Sequence, residues 1–388
     1  MGLQACAVFQ SSDVCKDAWS RLSHFQNVEM TADKICKKHN IEKKDRRFAM
    51  RQATQIRHCL LQAREYFNAA KGVSLATKPV LLYYSAMSLA LCEVLYKSDG
   101  ESRLERLREN HNCHGLQLAL ATDIPVSMPL SQLGAAIGAK PQMANGGQRG
   151  TFEVWHRTSA EPPLVGWLER RFPLTQTTQK SFAVLMGGDA SRPDPLPRSG
   201  ISLMECLQRL PRMYATLESY GIDLELVRAS CSAQVTDDST AVVMPGFLDI
   251  IVHPSTSSAF ERFGEQVRFN LSAMPQIDVT ELPSNSARIV FRTSEHGGFF
   301  ALPWSITADT SMTWFSTRRE SLNEFGLYYV ALHMLGNVAR YYPDKWLAHI
   351  ESHTPLAVVA EALLDLAVER LPLLLLSELR EQYLVVER

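Results

Sequence analysis

Apolar residues along the chain change their period twice, and those changes divide it. From about Arg46 to Lys71 there is no Gly or Pro, and Ile56, Leu60, Ala63 and Phe67 recur at helical spacing. Gly72 ends that run. Lys78-Pro79 opens a second helix, Val80 to about Tyr96. Pro79 suits its first turn, where the N–H that proline lacks would have no partner. Val80, Leu81, Leu82, Met87, Leu89, Leu91, Val94 and Leu95 cover most of its circumference. That pattern predicts the most buried helix of the molecule, packed on the Ile56–Phe67 helix and on the C-terminal helices. A short charged helix, Ser102 to about Asn110, follows Asp99-Gly100.

The stretch from about Pro125 to Gly200 is rich in Gly and Pro, with Gly146-Gly147, Pro162-Pro163, Gly187-Gly188 and the run from Pro193 to Pro197. It reads as loops and turns with one alternating strand, Thr151 to Arg157. Ile201 to Tyr220 returns to helix, broken at Pro211. Period two then takes over: Val227–Val235, Thr240–Met244, Phe247–Val252, Arg288–Arg292 and Phe299–Trp304 are short, β-branched or aromatic, and bounded by turn residues. From Ser321 the chain is helical again, with one helix from about Leu322 to Tyr342, stopped by Pro343. Another runs from about Ala357 to Val386, interrupted at Pro372. The expected fold class is α+β, mainly helical, with a β-containing insert. Its parts are an N-terminal helical region over 1–124, a loop-rich connector over 125–200, an α/β insert over 201–310, and a C-terminal helical region over 311–388 packing on the first.

Composition narrows the function classes. The chain has 388 residues, 46% hydrophobic and 21% charged, which excludes a disordered protein. Forty basic residues against 41 acidic ones give a net charge of −1, so the whole chain makes no electrostatic case for nucleic acid or membrane surfaces. The eight cysteines include no C-x-x-C, which points away from a zinc ribbon or a disulfide framework. The N-terminal residues lack a basic segment followed by an apolar run, and the most apolar stretch, Pro355 to Leu376, carries Glu361, Asp365, Glu369 and Arg370. A cytoplasmic protein is expected, without membrane contact, cofactor or metal.

One local patch departs from that balance. Lys34 to Arg51 holds eight basic residues against Glu42 and Asp45. Lys43, Lys44, Arg46, Arg47 and Arg51 are its candidates for contact with an RNA or DNA backbone. A solvated helical face would show the same pattern.

The segment Lys78-Pro79-Val80-Leu81-Leu82-Tyr83-Tyr84-Ser85-Ala86-Met87-Ser88-Leu89-Ala90 resembles the signature helix of the YaaC-like family of bacterial proteins. Phe25-Gln26-Asn27, the His114-Gly115-Leu116 turn, and Arg340-Tyr341-Tyr342-Pro343-Asp344-Lys345-Trp346 before a final Leu-Pro-Leu-Leu-Leu-Leu helix fit the same family in the same order. A Tyr-Tyr helix followed by a His-Gly-aliphatic turn also looks like the HEPN superfamily of helical bundles. That likeness implies ribonucleases or nucleotide-binding partners of toxin–antitoxin and antiviral systems, by analogy of fold.

HEPN ribonucleases pair Arg and His across four to six intervening residues, the His as acid or base and the Arg against charge developing on the phosphate. Here Arg106–His111 and Arg108–His114 have that spacing, so Arg106, Arg108, His111 and His114 are the catalytic candidates. The chain holds four such spacings, where composition alone gives about two. HEPN ribonucleases often carry a polar residue directly after the Arg; Glu109 after Arg108 is polar but acidic, and Leu107 after Arg106 is not polar. His111-Asn112-Cys113-His114 lacks a second pair to complete a metal site, and no phosphate loop or G-x-S-x-G nucleophile turn is present. His296-Gly297-Gly298 reads as a hairpin turn. The Tyr83-Tyr84 pair and Trp346 read as core packing, with base stacking the alternative for the tyrosines. Taken together the sequence favours an interaction subunit of a defence or toxin–antitoxin-type system, with another protein as its partner and self-association open. The alternative is a HEPN-like, metal-independent ribonuclease or RNA-binding effector.

Overall fold

The computed structural model describes residues 5–98, 103–159, 165–172, 177–185, 195–234, 247–271, 277–291, 305–307, 312–318 and 322–387. Its helices in chain order are α1 (Val14–Ser23), α2 (Val28–His39), α3 (Arg46–Lys71), α4 (Lys78–Lys97), α5 (Leu104–His111), α6 (Leu130–Ala136) and α7 (Thr151–Thr158). Then come α8 (Leu203–Gln208), α9 (Tyr214–Glu218), α10 (Ser257–Leu271), α11 (Glu324–Tyr341), α12 (Pro343–Glu351) and α13 (Pro355–Arg380). The architecture is mainly helical α+β, as the patterning implies. The expected strands Thr240–Met244 and Phe299–Trp304, and the turns at Pro162, Gly187 and His296, lie outside the described residues.

The centre is built by α4 with α3, α11 and α13. Pro79 stands in the first turn of α4, as expected of a residue without an N–H. Ser85 Oγ donates to the Ala63 carbonyl of α3 at 2.9 Å, and Gln52 of α3 donates to the Leu95 carbonyl. Gly336 of α11 brings that helix close to Pro79 and Val80. The most buried helix is α11 and not α4: 15 of 18 residues of α11 are buried, against 13 of 20 in α4. One flank of α4 reaches the surface, whereas α11 is covered by helices and by the small sheet of Leu116–Leu120 and Ile137–Pro141. Lys78–Lys97 is long and apolar enough to cross a membrane, and 72% of its apolar window is buried inside the molecule.

Among the described residues, the charges that enter this core through α4, α11 and α13 have partners of opposite sign. Arg370 of α13 and Glu324 at the start of α11 form a bidentate pair at 2.7 and 2.5 Å, both buried. Glu93 accepts from Trp155 Nε1 at 2.7 Å and from Lys97 at 2.8 Å, and Lys97 also meets Glu378 at 2.7 Å. Burial, first of all, raises the Glu93 pKa. Such pairs offset the heavy desolvation of buried ions.

Three local expectations are corrected. Thr151–Thr158 is a helix, not a strand: it buries Thr151, Phe152, Val154, Trp155 and His156, and burial on most sides imitates alternation in a segment this short. Pro372 sits inside α13 without breaking it, because Leu371 to Leu376 are all buried and their packing offsets the roughly 3 kcal/mol a helical proline costs. Residues 382–387, expected to be helical, form a strand parallel to Ala5–Gln10, in the register Ala5↔Gln382. Glu381, in the left-handed conformation at φ 56°, turns the chain out of α13 into that strand. Pro343 ends α11 and also begins α12. The Ile201–Tyr220 segment is broken at Pro211 as expected.

The insert is an antiparallel sheet in the order 277–282, 286–291, 247–252, 226–234, 313–316, 305–307, with the 165–172/177–185 hairpin joined to 226–234. Helix α10 packs on it, with Phe263 and Phe315 ring centroids 5.7 Å apart.

Candidate functional site

The basic run folds across three elements, the end of α2, the 3-10 turn Lys43–Asp45 and the start of α3. Much of its charge is compensated. Arg46 binds Asp33 at 2.8 Å and Glu29 at 2.6 Å, Lys44 meets Glu42 at 2.8 Å, and Lys38 meets Glu381 at 2.6 Å. Lys43, Arg47 and Arg51 stay exposed. Arg47 lies over the Phe48 ring, 4.9 Å from its centroid, and Arg103 approaches the same ring at 5.8 Å.

That second contact joins two segments remote in sequence. Gln55 of α3 donates to Glu105 of α5 at 2.8 Å and accepts from the Leu104 amide at 2.8 Å, so α5 is fixed beside α3. Glu105 is flanked by Arg51 and Arg108, and the Gln55 hydrogen bond, above all, lowers its pKa. The structure thus brings Arg51 of the basic run together with Arg103 and Arg108. Arg106 and Arg108 are exposed on α5. His111 closes that helix, its side chain outside the described set.

His114 is placed elsewhere, by backbone. Its carbonyl accepts from the Phe152 amide at 3.1 Å, and Cys113's from Thr151 at 2.9 Å, using the otherwise unpaired first-turn donors of α7. Gly115 at φ 85° crosses Gly150 at φ 106°, and a Cβ at Gly150 would stand 2.3 Å from the Gly115 Cα. Glycine is required at this crossing.

The His114 ring then meets aromatic and basic groups from α4 and α11. Its centroid is 5.5 Å from Tyr83, 6.1 Å from Tyr84 and 6.4 Å from His333. Tyr66 of α3 stacks on Tyr84 at 5.4 Å, and Arg340 donates to the Tyr84 hydroxyl at 3.0 Å. Burial and then Arg340 lower the His114 pKa, which favours the neutral imidazole. Among the described residues neither ring nitrogen has a hydrogen-bond partner. Beneath it, His333 is held at about 3 by burial and His114. Burial, then Tyr329 and Tyr84, raises the Tyr83 pKa, and the buried Tyr83 and Tyr329 hydroxyls make no hydrogen bond of ordinary geometry.

Half-buried Tyr66, Tyr84 and His114 with exposed Arg340 therefore form a rim over a floor of Tyr83, Tyr329 and His333. A neutral imidazole accepts a proton, a guanidinium binds phosphate, and tyrosine rings stack on bases. The charge acting on His114 comes from Arg340, and not from Arg108 six residues before it. Sequence reasoning missed Arg340, His333 and Tyr66. Its one available signal was His333, Asn337 and Arg340 at i, i+4 and i+7, a polar stripe on an otherwise apolar helix. Among the described residues no three His, Cys, Asp or Glu side chains converge as a metal-binding group.

Fold and rim together define a helical α+β protein with an aromatic, histidine- and arginine-bearing surface site. The sequence pattern of the YaaC-like protein family matches residues 21–117 and 180–379, most of the chain. The chain belongs to that family. No curated protein and no solved structure matches it.

Proposed function

We propose that this YaaC-like chain acts on RNA, as an RNA-binding effector with His114-based cleavage, in the defence or toxin–antitoxin setting that the HEPN likeness implies. One observation carries the reading: a half-buried His114 beside Arg340 and the Tyr66–Tyr84 stack. His114 takes the proton of a ribose 2′-hydroxyl, and the 2′-oxygen bonds to the adjacent phosphorus. The bond from phosphorus to the 5′-oxygen breaks, and that oxygen leaves with a proton from solvent. Arg340 stabilises the added charge on the phosphate.

The test is incubation of single-stranded RNA, and its DNA counterpart, with wild type, His114→Ala and Arg340→Ala. RNA is cut and DNA is not, since it lacks the 2′-hydroxyl, and His114→Ala slows cutting by about 100-fold or more. Cleavage undiminished in both variants, or no binding of RNA by wild type, overturns the reading.

The interaction-subunit reading stands second, on Tyr341, Leu347 and Val358, exposed by 60, 41 and 41% on α11, α12 and α13. A protein partner or second copy covering these side chains would be lost on Tyr341→Ser with Leu347→Ser, read by light scattering and co-purification.

A further inference from the structure

We infer that a single strand of nucleic acid lies along the seam that α3 makes with α5 and then α4, gripped at one end by the arginines around Phe48 and delivered at the other to His114. This rests on the RNA-directed reading and adds to it the length, path and strandedness of the ligand.

The path is set by helix geometry. Arg51, Gln55, His58, Gln62 and Tyr66 follow at intervals of four, three, four and four residues, which keeps them on one side of α3. Neighbours confirm that side at three points. Gln55, itself buried, contacts Leu104 and Glu105 of α5, Gln62 accepts from Ser88 of α4 at 3.4 Å, and Tyr66 stacks on Tyr84, so a ligand on this seam meets Arg51, His58, Gln62 and Tyr66 and passes over Gln55. The stripe therefore follows the seam where α3 meets first α5 and then α4. Helix α5 and the chain that follows it start beside Gln55 and reach His114 beside Tyr84.

The two ends differ in chemistry and suit the two parts of a nucleotide. At the first, Arg47 and Arg103 flank Phe48, and Arg51 lies beside Glu105, whose charge Gln55 and Arg108 also share. These guanidiniums fit phosphates. At the second, Tyr66 and Tyr84 offer ring faces, and Arg340 a cation next to His114. Between them, exposed His58 and Gln62 line the stripe with polar groups, and Glu65 stands on the adjoining row. From Arg51 to Tyr66 is about 22 Å at 1.5 Å per residue. A stacked strand rising ~3.4 Å per nucleotide covers that with about six or seven nucleotides. A duplex hides the base faces that the tyrosines need, so a single strand is the fitting ligand.

The test is fluorescence anisotropy at about 50 mM salt with a labelled uridine dodecamer and a labelled uridine dinucleotide, repeated with deoxyribonucleotide versions. The proteins are wild type, the triple variant Arg47→Ala/Arg51→Ala/Arg103→Ala, and Gln62→Glu, which sets a carboxylate midway on an exposed position. The dodecamer spans both ends and the dinucleotide reaches only one. The triple variant should weaken the dodecamer at least tenfold and lower its salt slope by about two units. Gln62→Glu should weaken the dodecamer severalfold, and both variants should hold the dinucleotide within twofold of wild type. Ribose and deoxyribose strands should bind alike, because the path reads backbone and base faces. If the dodecamer is indifferent to both variants, or the dinucleotide falls as far as the dodecamer, the path is wrong. In that case loss of dinucleotide binding in Arg340→Ala would still uphold the His114 reading. If wild type binds neither ligand, both proposals fall.

Discussion

Two polar neighbourhoods occupy the same helical body and differ in how completely they are paired. In the interior, Arg370 and Glu324 grip each other, Glu93 takes Lys97 and Trp155, and His349 has a partner on each ring nitrogen. At the rim, His114 has ring neighbours but no hydrogen bond to either nitrogen among the described residues, and Arg340 is exposed. These interior charges and His349 are held by one another or by neighbouring polar groups, because a buried charge without a partner is expensive, while the buried hydroxyls of Tyr83, Tyr328 and Tyr329 stay without one. Arg340 and Tyr84 bond each other at the rim at 3.0 Å, and the His114 ring is the group there left open among the described residues. On the function proposed above, the contrast divides structural polar residues from working ones more sharply than their identity does, since histidine and arginine occur in both.

The largest expected effect of breaking the interior is at Arg370. Arg370→Ala leaves Glu324 buried and uncompensated, and urea denaturation should show a loss of about 3–5 kcal/mol. Arg370→Met with Glu324→Gln should recover much of it, because well-packed neutral groups avoid the desolvation. Equal stability of Arg370→Ala and wild type would show that the pair is not what holds α11 to α13.

His333 lies between the two neighbourhoods and gives the next effect, in acid. Its folded pKa of about 3 is below the ordinary value of about 6.5 for histidine, through burial first and then His114. Between those values the unfolded chain binds the extra proton and the folded one does not. Stability is therefore intact above about pH 6.5 and falls as pH drops towards 3, at about 1.4 kcal/mol per unit from this group. His333→Phe keeps a ring among Tyr83 and Tyr329 and should flatten that acid limb in urea titrations at pH 7, 5 and 4. Parallel curves for variant and wild type would exclude His333 as the source.

The interior was far more legible in the sequence than the rim. Helix α4 and the strand Phe247–Val252 follow from local spacing, because burial of a local period leaves its mark in neighbouring residues. The pairing of Ala5–Gln10 with Gln382–Glu387 joins opposite ends of the chain, and no local pattern encodes such a partner. The same reason hid the rim. His114 was singled out for its place near Arg106 and Arg108, but tertiary packing supplies Arg340 from α11 and Tyr66 from α3 instead. In the basic run, charge density was legible, and its partial cancellation by Glu29, Asp33 and Glu381 was not. The joining of Arg47 to Arg103 through Phe48 was equally out of reach.

The sharpest form of the comparison applies one substitution in both places. His349 is fully buried, with Nδ1 2.8 Å from the Thr354 hydroxyl and Nε2 3.0 Å from the Ile124 carbonyl. A carbonyl only accepts, so Nε2 donates and Nδ1 accepts from Thr354, which fixes a single neutral tautomer. His349→Ala removes both bonds, strands the Ile124 carbonyl and opens a cavity, at an expected cost of about 2–4 kcal/mol. His114 has no such bonds to lose, and its backbone contacts to α7 survive truncation of the ring. His114→Ala should cost under about 1 kcal/mol while removing RNA cleavage. Denaturation curves for the two variants, set beside their cleavage rates, decide the matter. A His114→Ala protein as destabilised as His349→Ala would place His114 among the interior's structural groups, and the distinction between the two neighbourhoods would collapse.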